Sequence, residues 1–314
     1  MATYSVGFGL LGSPTQWYLP GTNPFMLPVP NLNSPPLEGS ISEFAFAPEL
    51  PALLFGGLVA ASGSLNRAPG LYLDVIGAWN SVKNVSVASD EAGSVTLSGF
   101  VHTDVTLGDG GDSSVTVIGA KRGNIMTGDG DDMIVVQIAS NEFDWVNEFR
   151  IATNDGNDNV VVGALNWAEL SATDVTFAST AHGAGNFRPD DSHSLVFVSL
   201  GEGDDRFFSL GASQDRIWGD AGRDVILGGR GDDILAGGAD ADIFIFRAGD
   251  GTDIITDFAP GEDRLLFVGF SGADLMAVLD GATEFDGSAH LSYTGGTIIL
   301  IGVAASDLSH SDFL

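Results

Sequence analysis

The stretch that decides the fold runs from residue 201 to residue 245 and repeats one short phrase. The phrases read GEGDDRFF (201–208), GASQDRIW (211–218), GDAGRDVIL (219–227), GGRGDDILA (228–236) and GGADADIFI (237–245). Each phrase places a glycine-rich turn before one aspartate, and a large apolar residue follows two positions later. A period of nine predicts a coil of turn, strand, turn and strand that stacks on copies of itself.

The five repeated aspartates are expected to fall into two groups, because alternate turns of such a coil lie on the same edge. We expect Asp205, Asp224 and Asp242 on one edge, and Asp215 and Asp233 on the other. Carboxylates stacked about 5 Å apart would repel each other, and a cation between them would hold the turns together. The apolar residues expected to point into the coil are Phe207, Ile217, Ile226, Leu235 and Phe244.

The phrase G-G-x-G-x-D-x-U-x, in which U is a large apolar residue, resembles the RTX (repeats-in-toxin) calcium-binding family. The resemblance implies an all-β fold, a parallel β-solenoid or β-roll with stacked calcium-binding turns, and Ca²⁺ as the cofactor. Calcium takes six to eight oxygen ligands, and glycine lets the turn carbonyls point at the ion. The expected metal-binding residues are Asp205, Asp215, Asp224, Asp233, Asp242, Asp253, Asp257, Asp112, Asp132, Asp158, Gly203, Gly222 and Gly231.

Composition, repeat spacing and the resemblance together predict four regions along the 314 residues. Composition and spacing indicate an apolar, proline-rich N-terminal arm (1–70) and an irregular β-solenoid (71–199) with a loop insertion at 163–193. The resemblance implies a β-roll (200–257) and a C-terminal cap with a type I secretion signal (258–314). In the irregular solenoid, short β-branched runs recur about every ten residues, which predicts two strands per coil of about twenty residues. The arm carries many large apolar side chains, so we expect it to pack on its own solenoid or on a neighbouring subunit.

The charge balance restricts the partners. The chain has 42 acidic residues against 12 lysines and arginines, a formal net charge of −30, which argues against nucleic acid as a partner. The longest apolar stretch, 52–61, is too short to span a bilayer, so no membrane insertion is expected. The first basic residue is Arg67, so an N-terminal signal peptide is not predicted. The chain also has no cysteine and therefore no disulfide bond.

The C-terminal sequence resembles that of type I secreted RTX proteins, including the serralysin metalloproteases. The matching residues are Asp253, Ile255, Asp257, Phe258, Asp263, Leu265, the glycine pair at 295–296, which predicts a late hairpin, and the terminal Asp312, Phe313 and Leu314. The resemblance implies a bacterial protein that leaves the cell through a type I secretion machinery and acts outside it. One turn of the early solenoid carries Lys121 and Arg122, and we expect that edge to be free of metal.

Catalytic motifs are missing from the sequence: neither H-E-x-x-H nor G-x-S-x-G occurs. The leading hypothesis is a non-catalytic structural protein that folds on extracellular calcium and self-assembles head to tail through its N-terminal arm. The product would be an extracellular filament, surface layer or matrix. Two alternatives stay open: an adhesin or carbohydrate-binding protein that uses the 163–193 loop, and a polysaccharide lyase or epimerase.

Overall fold

Two large β-sheets, A and B, form the molecule in the computed structural model. The thirteen strands of sheet A are β1 (Tyr4–Gly9), β2 (Glu38–Ser42), β6 (Asn84–Ser89), β8 (His102–Thr106), β10 (Arg122–Met126), β12 (Asn147–Ala152), β14 (Ser194–Glu202), β16 (Gln214–Ala221), β18 (Ile234–Ala236), β20 (Thr252–Ile255), β22 (Thr283–Phe285), β23 (Ser288–Tyr293) and β24 (Gly296–Leu300). The eleven strands of sheet B are β3 (Leu53–Phe55), β4 (Val59–Ser62), β5 (Leu71–Ile76), β7 (Gly93–Ser98), β9 (Ser114–Ala120), β11 (Met133–Ile138), β13 (Asn159–Val162), β15 (Arg206–Ser209), β17 (Val225–Leu227), β19 (Ile243–Arg247) and β21 (Arg264–Val268). The residues that the structure describes are 4–9, 38–42, 53–55, 59–62, 71–76, 84–98, 100, 102–138, 147–163 and 194–314.

From β5 to β21 the chain alternates between the two sheets, and neighbours within each sheet run parallel. Val198 pairs with Ile217 and Ile217 with Leu235, so successive coils are offset by 19 and then 18 residues. Two nine-residue phrases therefore make one coil. In the earlier half, Val105 pairs with Ile125 at an offset of 20 residues, which agrees with the predicted coil length. The all-β, parallel β-roll fold is confirmed.

One coil is much longer than the others. Ile151 pairs with Val198, an offset of 47 residues, because residues 164–193 lie between β13 and β14. The predicted loop insertion at 163–193 falls there, and all of it except Gly163 lies outside the described residues. The two sheets keep their parallel pairing on both sides of this long coil.

The apolar residue of each phrase fills the space between the sheets. All five residues predicted to point inward are buried, with exposures of 0–1%. They belong to a single apolar cluster that runs from Val85 to Phe313. Burial of one large apolar side chain contributes about 1.5–3 kcal/mol, and every coil adds such residues from both sheets, so each coil stabilises its neighbours.

The N-terminal arm reverses the strand direction at the start of the solenoid. β1 pairs antiparallel with β6, and β4 pairs antiparallel with β5, so arm strands cover the first strand of each parallel stack. Of the two expectations for the arm, packing on its own solenoid is the one that these strands follow. An antiparallel cover also uses the backbone groups that an open sheet edge would expose.

The C-terminal region closes the other end. Helix α1 (Gly272–Asp280) starts at a capping box formed by Ser271 and Asp274. The hairpin predicted at the glycine pair is present, because β23 and β24 pair antiparallel around Gly295. Two short 3₁₀ helices follow (Ala305–Asp307 and His310–Asp312). Within the described residues, no helix is both long and apolar enough to cross a membrane.

Glycine in the turns allows the coils to approach closely. Gly222 has φ +128°, and a Cβ atom added there would overlap the carbonyl oxygen of Gly203 in the preceding coil. We expect Gly222→Ala to lower the free energy of unfolding in saturating calcium by about 2 kcal/mol or more, because it adds backbone strain to a steric clash. Thermal unfolding followed by circular dichroism measures this loss.

The matched control is Gly272→Ala at the start of α1, where an added Cβ would meet no atom within 4 Å. Alanine favours the helix over glycine, so this variant should unfold at or above the wild-type temperature. Equal losses in the two variants would contradict the explanation by close stacking.

Candidate metal centre

The turns of the solenoid form two edges. At the first edge, each strand of sheet A continues into the next strand of sheet B, as in the turn between β16 and β17. At the second edge, each strand of sheet B returns to sheet A, as in the turn between β17 and β18. Each edge carries a column of stacked residues, one from each coil.

The first-edge column is a continuous ladder of hydrogen bonds. Its members are Ser113, Asp132, Asp158, Asp205, Asp224, Asp242 and Asp263. In every step, the backbone N–H of one member donates to the Oδ1 atom of the aspartate in the next coil, at N···O distances of 2.5–3.0 Å. The column therefore spans seven coils, and six of them place an aspartate carboxylate at the same position.

The second-edge column is shorter and contains Asp215, Asp233 and Asp253. Asp215 N–H donates to Asp233 Oδ1 at 2.8 Å, and Asp233 N–H donates to Asp253 Oδ1 at 3.1 Å. The predicted division of the five repeated aspartates between two edges is confirmed by these two ladders. Turns of the early solenoid contribute no aspartate to the second-edge column within the described residues.

The other carboxylate oxygen of these aspartates lacks a partner. The Oδ2 atoms of one set are buried and have no hydrogen-bond partner among the described residues: Asp132, Asp158, Asp205, Asp224, Asp233 and Asp242. A buried polar atom without a partner costs about 1–3 kcal/mol, and more if it is charged. The columns therefore require a group that neutralises the carboxylate charge and coordinates the Oδ2 atoms, and a cation does both.

Without metal, the burial of the column carboxylates is unfavourable, and their pKa values are raised as a result. The pKa values of Asp224 and Asp242 are raised to about 7, by burial first and by neighbouring aspartates second, against the lowering effect of the backbone N–H donors. Burial likewise raises the pKa of Asp158 to about 7 and that of Asp253 to about 8. For Asp233 the pKa is also raised, by burial first and by Asp215 and Asp253 second.

The first glycine of a phrase leaves room for the carboxylate. A Cβ atom at Gly228 would collide with Asp233 Oδ2, and the same overlap occurs between Gly237 and Asp242 and between Gly219 and Asp224. None of these three glycines has a left-handed backbone. Their requirement is therefore steric, which the sequence argument, based on backbone freedom alone, did not identify.

The donor set suits calcium. Among the described residues, no three His, Cys, Asp or Glu side chains converge on one point, so an ion between coils must take most of its ligands from backbone carbonyls. Calcium accepts such mixed oxygen sets with irregular geometry, whereas zinc prefers nitrogen and sulfur. The residues that would hold each ion are column aspartates, through Oδ2, together with turn carbonyls around Gly203, Gly222 and Gly231, whose φ angles are +144°, +128° and +143°.

Two predicted aspartates lie elsewhere than expected. Asp112 is exposed and stands one residue outside the first-edge column, where Ser113 takes the column position. Its Oδ1 instead accepts the N–H of Asp131, in a second, exposed ladder. Ser113 takes the column position because Met133 pairs with Ser114, which places the turn before β9 one residue out of step with the later turns.

Asp253 and Asp257, both predicted to bind metal, lie on opposite edges. The Asp257 carboxylate accepts the N–H groups of Gly237 and Gly238, at 3.1 and 2.9 Å, at the first edge. Whether any of the predicted residues binds metal remains a prediction.

Two acidic residues were missed. Asp263 continues the first-edge column beyond Asp242, and its place before Leu265 repeats the Asp-x-apolar signal of the phrases. Asp250 is buried beside the end of the second column, where its carboxylate accepts the N–H of Arg247 at 2.7 Å. No repeated pattern in the sequence marks Asp250.

The fold and its two carboxylate columns define a calcium-binding β-roll. More particularly, residues 209–244 match the family described as RTX calcium-binding nonapeptide repeat, in four copies. The chain therefore contains RTX calcium-binding repeats, and Ca²⁺ is their cofactor. The search of curated proteins gives no match.

Among solved structures, the chain is similar to the extracellular lipase LipA from Serratia marcescens, with 15% sequence identity and a TM-score of 0.25. The match covers 71% of this chain and 44% of the lipase chain, which is less than half of that protein's length. At this TM-score the likeness indicates nothing about the function of this chain.

The two roles of a column carboxylate can be separated by Asp224→Asn. The amide keeps a hydrogen-bond acceptor for Asp205 N–H of the preceding coil but removes the charge. We expect the calcium concentration at the folding midpoint to rise about tenfold, which corresponds to about 1.4 kcal/mol. In chelator, the same variant should be no less folded than the wild type, because a buried charge is gone.

Calcium titration followed by far-ultraviolet circular dichroism measures both effects. The control is Asp286→Asn, an exposed residue with φ +51° in the turn between β22 and β23, where asparagine is equally suited. It changes the net charge by the same amount. A calcium midpoint that shifts equally in both variants would contradict a local role for the column.

The raised pKa values predict opposite pH dependence with and without calcium. Without metal, column aspartates with pKa values near 7 bind protons that the unfolded chain, with pKa values near 3.9, does not hold. The metal-free fold should therefore become more stable as pH falls from about 7 towards 4. Calcium must displace these protons, so its apparent affinity should fall over the same interval.

Calcium titrations at pH 8, 7, 6 and 5, with matched thermal unfolding in chelator, measure both trends. Isothermal titration at pH 6.5 in two buffers of different ionisation enthalpy should also detect proton release when calcium binds. A calcium affinity that is constant from pH 8 to pH 5 would show that the column carboxylates are not the ligands.

Proposed function

We propose that this protein is a secreted, calcium-folded structural protein without catalytic activity, which self-assembles outside the cell into a filament, surface layer or matrix. The observation that carries the proposal is the set of buried Oδ2 atoms along the two columns, which have no hydrogen-bond partner among the described residues. A chain with this arrangement is expensive to fold without a cation, and its formal charge of −30 adds to that cost.

The difference in calcium concentration between the inside and the outside of the cell then determines where the chain folds. Extracellular calcium modules bind with dissociation constants of about 10⁻⁴–10⁻³ M, so such sites stay empty at cytosolic calcium levels. An ion that binds only the folded state adds its binding free energy to the stability of the fold. The chain would stay unfolded inside the cell, pass a type I secretion machinery in that form, and fold outside.

The docked C-terminus supports this order of events. Leu314 N–H donates to Leu265 O at 2.9 Å, and the Phe313 ring stacks on Phe267 with ring centres 5.9 Å apart. Asp312 is fully buried and its Oδ1 accepts Gly261 N–H at 2.8 Å. Asp312 and Phe313 are buried in the folded protein, so recognition of a secretion signal that includes them would have to precede folding.

The arm supplies a route to assembly. β1 and β4 cover the first strands of sheets A and B within one molecule. If the arm instead covered the same strands of a neighbour, every backbone pairing would be kept and the molecules would be linked. When each copy passes its arm to the next copy, the assembly does not close into a ring, and it grows into a fibre.

An engineered cross-link tests the arm exchange, because the chain has no cysteine of its own. Ser5 and Ala88 are directly paired across β1 and β6, so the double variant Ser5→Cys/Ala88→Cys reports which molecule the arm covers. Oxidised in millimolar calcium after assembly, it should give a ladder of covalent multimers on a non-reducing gel. The same variant oxidised in dilute solution before assembly should give cross-linked monomers.

The single variants Ser5→Cys and Ala88→Cys are the controls for random oxidation. Filaments that contain only cross-linked monomers would rule out arm exchange, and a protein that stays monomeric in millimolar calcium would rule out self-assembly. Calcium folding is tested separately: circular dichroism that is the same in chelator and in calcium would refute the first half of the proposal.

A further inference from the structure

The outer face of sheet A carries a cation–aromatic cluster. Arg150 on β12, Phe197 on β14 and Arg216 on β16 are in register on three adjacent parallel strands. The guanidinium carbons of Arg150 and Arg216 lie 4.9 and 5.5 Å from the centre of the Phe197 ring. In all three strands these residues alternate with buried ones, so they project away from the core. The aromatic ring is thus flanked by two cations.

Further residues on β10, β14 and β16 extend this surface beyond the cluster. Trp218 follows Arg216 on the same side of β16 and is 42% exposed, and Leu195 precedes Phe197 on β14. Arg122 projects from β10 beside Glu148 of β12. We call this surface the arginine–aromatic face; its residues are Arg122, Arg150, Leu195, Phe197, Arg216 and Trp218.

Two of the three arginines of this face lack an ion-pair partner in the part of the chain that the structure describes, although the chain is rich in acids, and Glu148 is a carboxylate on the same side of β12 as Arg150. With 42 acidic and 12 basic residues in the chain, a surface arginine is expected to find a carboxylate. Among the described residues, no carboxylate lies within 4.0 Å of the guanidinium of Arg122 or Arg216. Arg150 pairs with Glu148 at 2.6 Å, and both side chains remain exposed, at 61% and 40%.

We propose that the arginine–aromatic face binds a linear anionic polysaccharide. Arg216 and Arg150, about 10 Å apart across two strand spacings, would hold carboxylate or sulfate groups, since the guanidinium fork matches both. Trp218, which is 42% exposed, would pack against the apolar face of a sugar ring, and Phe197 would hold the two guanidinium groups in place. This inference goes beyond the proposed function: it assigns a ligand to the folded protein whatever its assembly.

The density of charge favours a polysaccharide over nucleic acid. Duplex DNA carries one charge per about 1.7 Å, which three arginines on a chain of charge −30 cannot offset. A polysaccharide with one charge per sugar or per pair of sugars presents few anions to the face. The acidic edges lie beyond this face and are screened over about 8 Å at physiological ionic strength, and calcium bound there reduces their charge further.

The experiment measures binding of immobilised full-length protein, in calcium, to hyaluronate, κ-carrageenan and neutral dextran. Hyaluronate carries carboxylates and κ-carrageenan carries sulfates, both at the low charge density proposed, so the two distinguish the anion, and binding of either one supports the proposal. We expect affinity to fall with rising sodium chloride concentration and neutral dextran not to bind. Binding of neutral dextran with equal affinity, or of none of the three, would overturn the proposal.

The key variant is Arg216→Gln, with Arg206→Gln as its matched control. Arg206 is also exposed and begins a strand, but it lies on β15 in the opposite sheet. Arg216→Gln should weaken binding at least about tenfold, because it removes a charge-assisted hydrogen bond, whereas Arg206→Gln should change it less than about twofold. Equal effects in the two variants would overturn the proposal, because they would indicate a response to net charge alone.

Two further measurements identify the occupant. Trp218→Ala should weaken glycan binding without changing its salt dependence, because it removes packing and no charge. Poly-L-glutamate serves as an acidic peptide competitor: if it bound as tightly as the glycans and were insensitive to Trp218→Ala, the face would be a site for an acidic protein segment and the proposal would be wrong. Circular dichroism in calcium verifies that each variant is folded, and Arg150→Gln repeats the test at the second cation.

Discussion

The stacked carboxylate is the interaction on which the rest of the structure depends. In Asp224 and Asp242, as in most column aspartates, Oδ1 accepts a backbone N–H from the preceding coil, so the side chain sets the spacing between coils. The Oδ2 atom of these two residues is buried and requires a cation, because an unpartnered charge in the interior is costly. A single residue type therefore both aligns the coils and makes their alignment conditional on metal.

The two columns divide this dependence unequally along the chain. The first-edge column extends from Ser113 to Asp263, whereas the second-edge column is confined to Asp215, Asp233 and Asp253. The later coils can thus be held by ions at both edges, and their strands are short, three residues in β17 and β18. The earlier coils have strands of five to seven residues in β8 to β11, so longer ladders of backbone hydrogen bonds accompany the single column.

At each end of the solenoid, antiparallel strands cover a stack of parallel strands. Arm strands cover β5 and β6 antiparallel, and β23 covers β24 in the same way after β24 has joined β20 in parallel. Parallel stacks without such covers would present open edges that template aggregation. The same need for a cover is the basis of the proposed arm exchange between molecules, since an open sheet edge can be covered by the arm of either copy. The outer face of sheet A is independent of both ends, because strand alternation alone sends its arginines outward.

The sequence by itself determined the coil, its period and the assignment of repeated aspartates to two edges, because each of these follows from local spacing within nine residues. It also identified the buried apolar residues, Phe207 and Phe244 among them. Only the tertiary structure decided that Ser113 rather than Asp112 enters the column, and that Asp263 extends it. It alone brought Arg150 beside Phe197 across a coil of 47 residues, because insertions break the period and packing then sets the register.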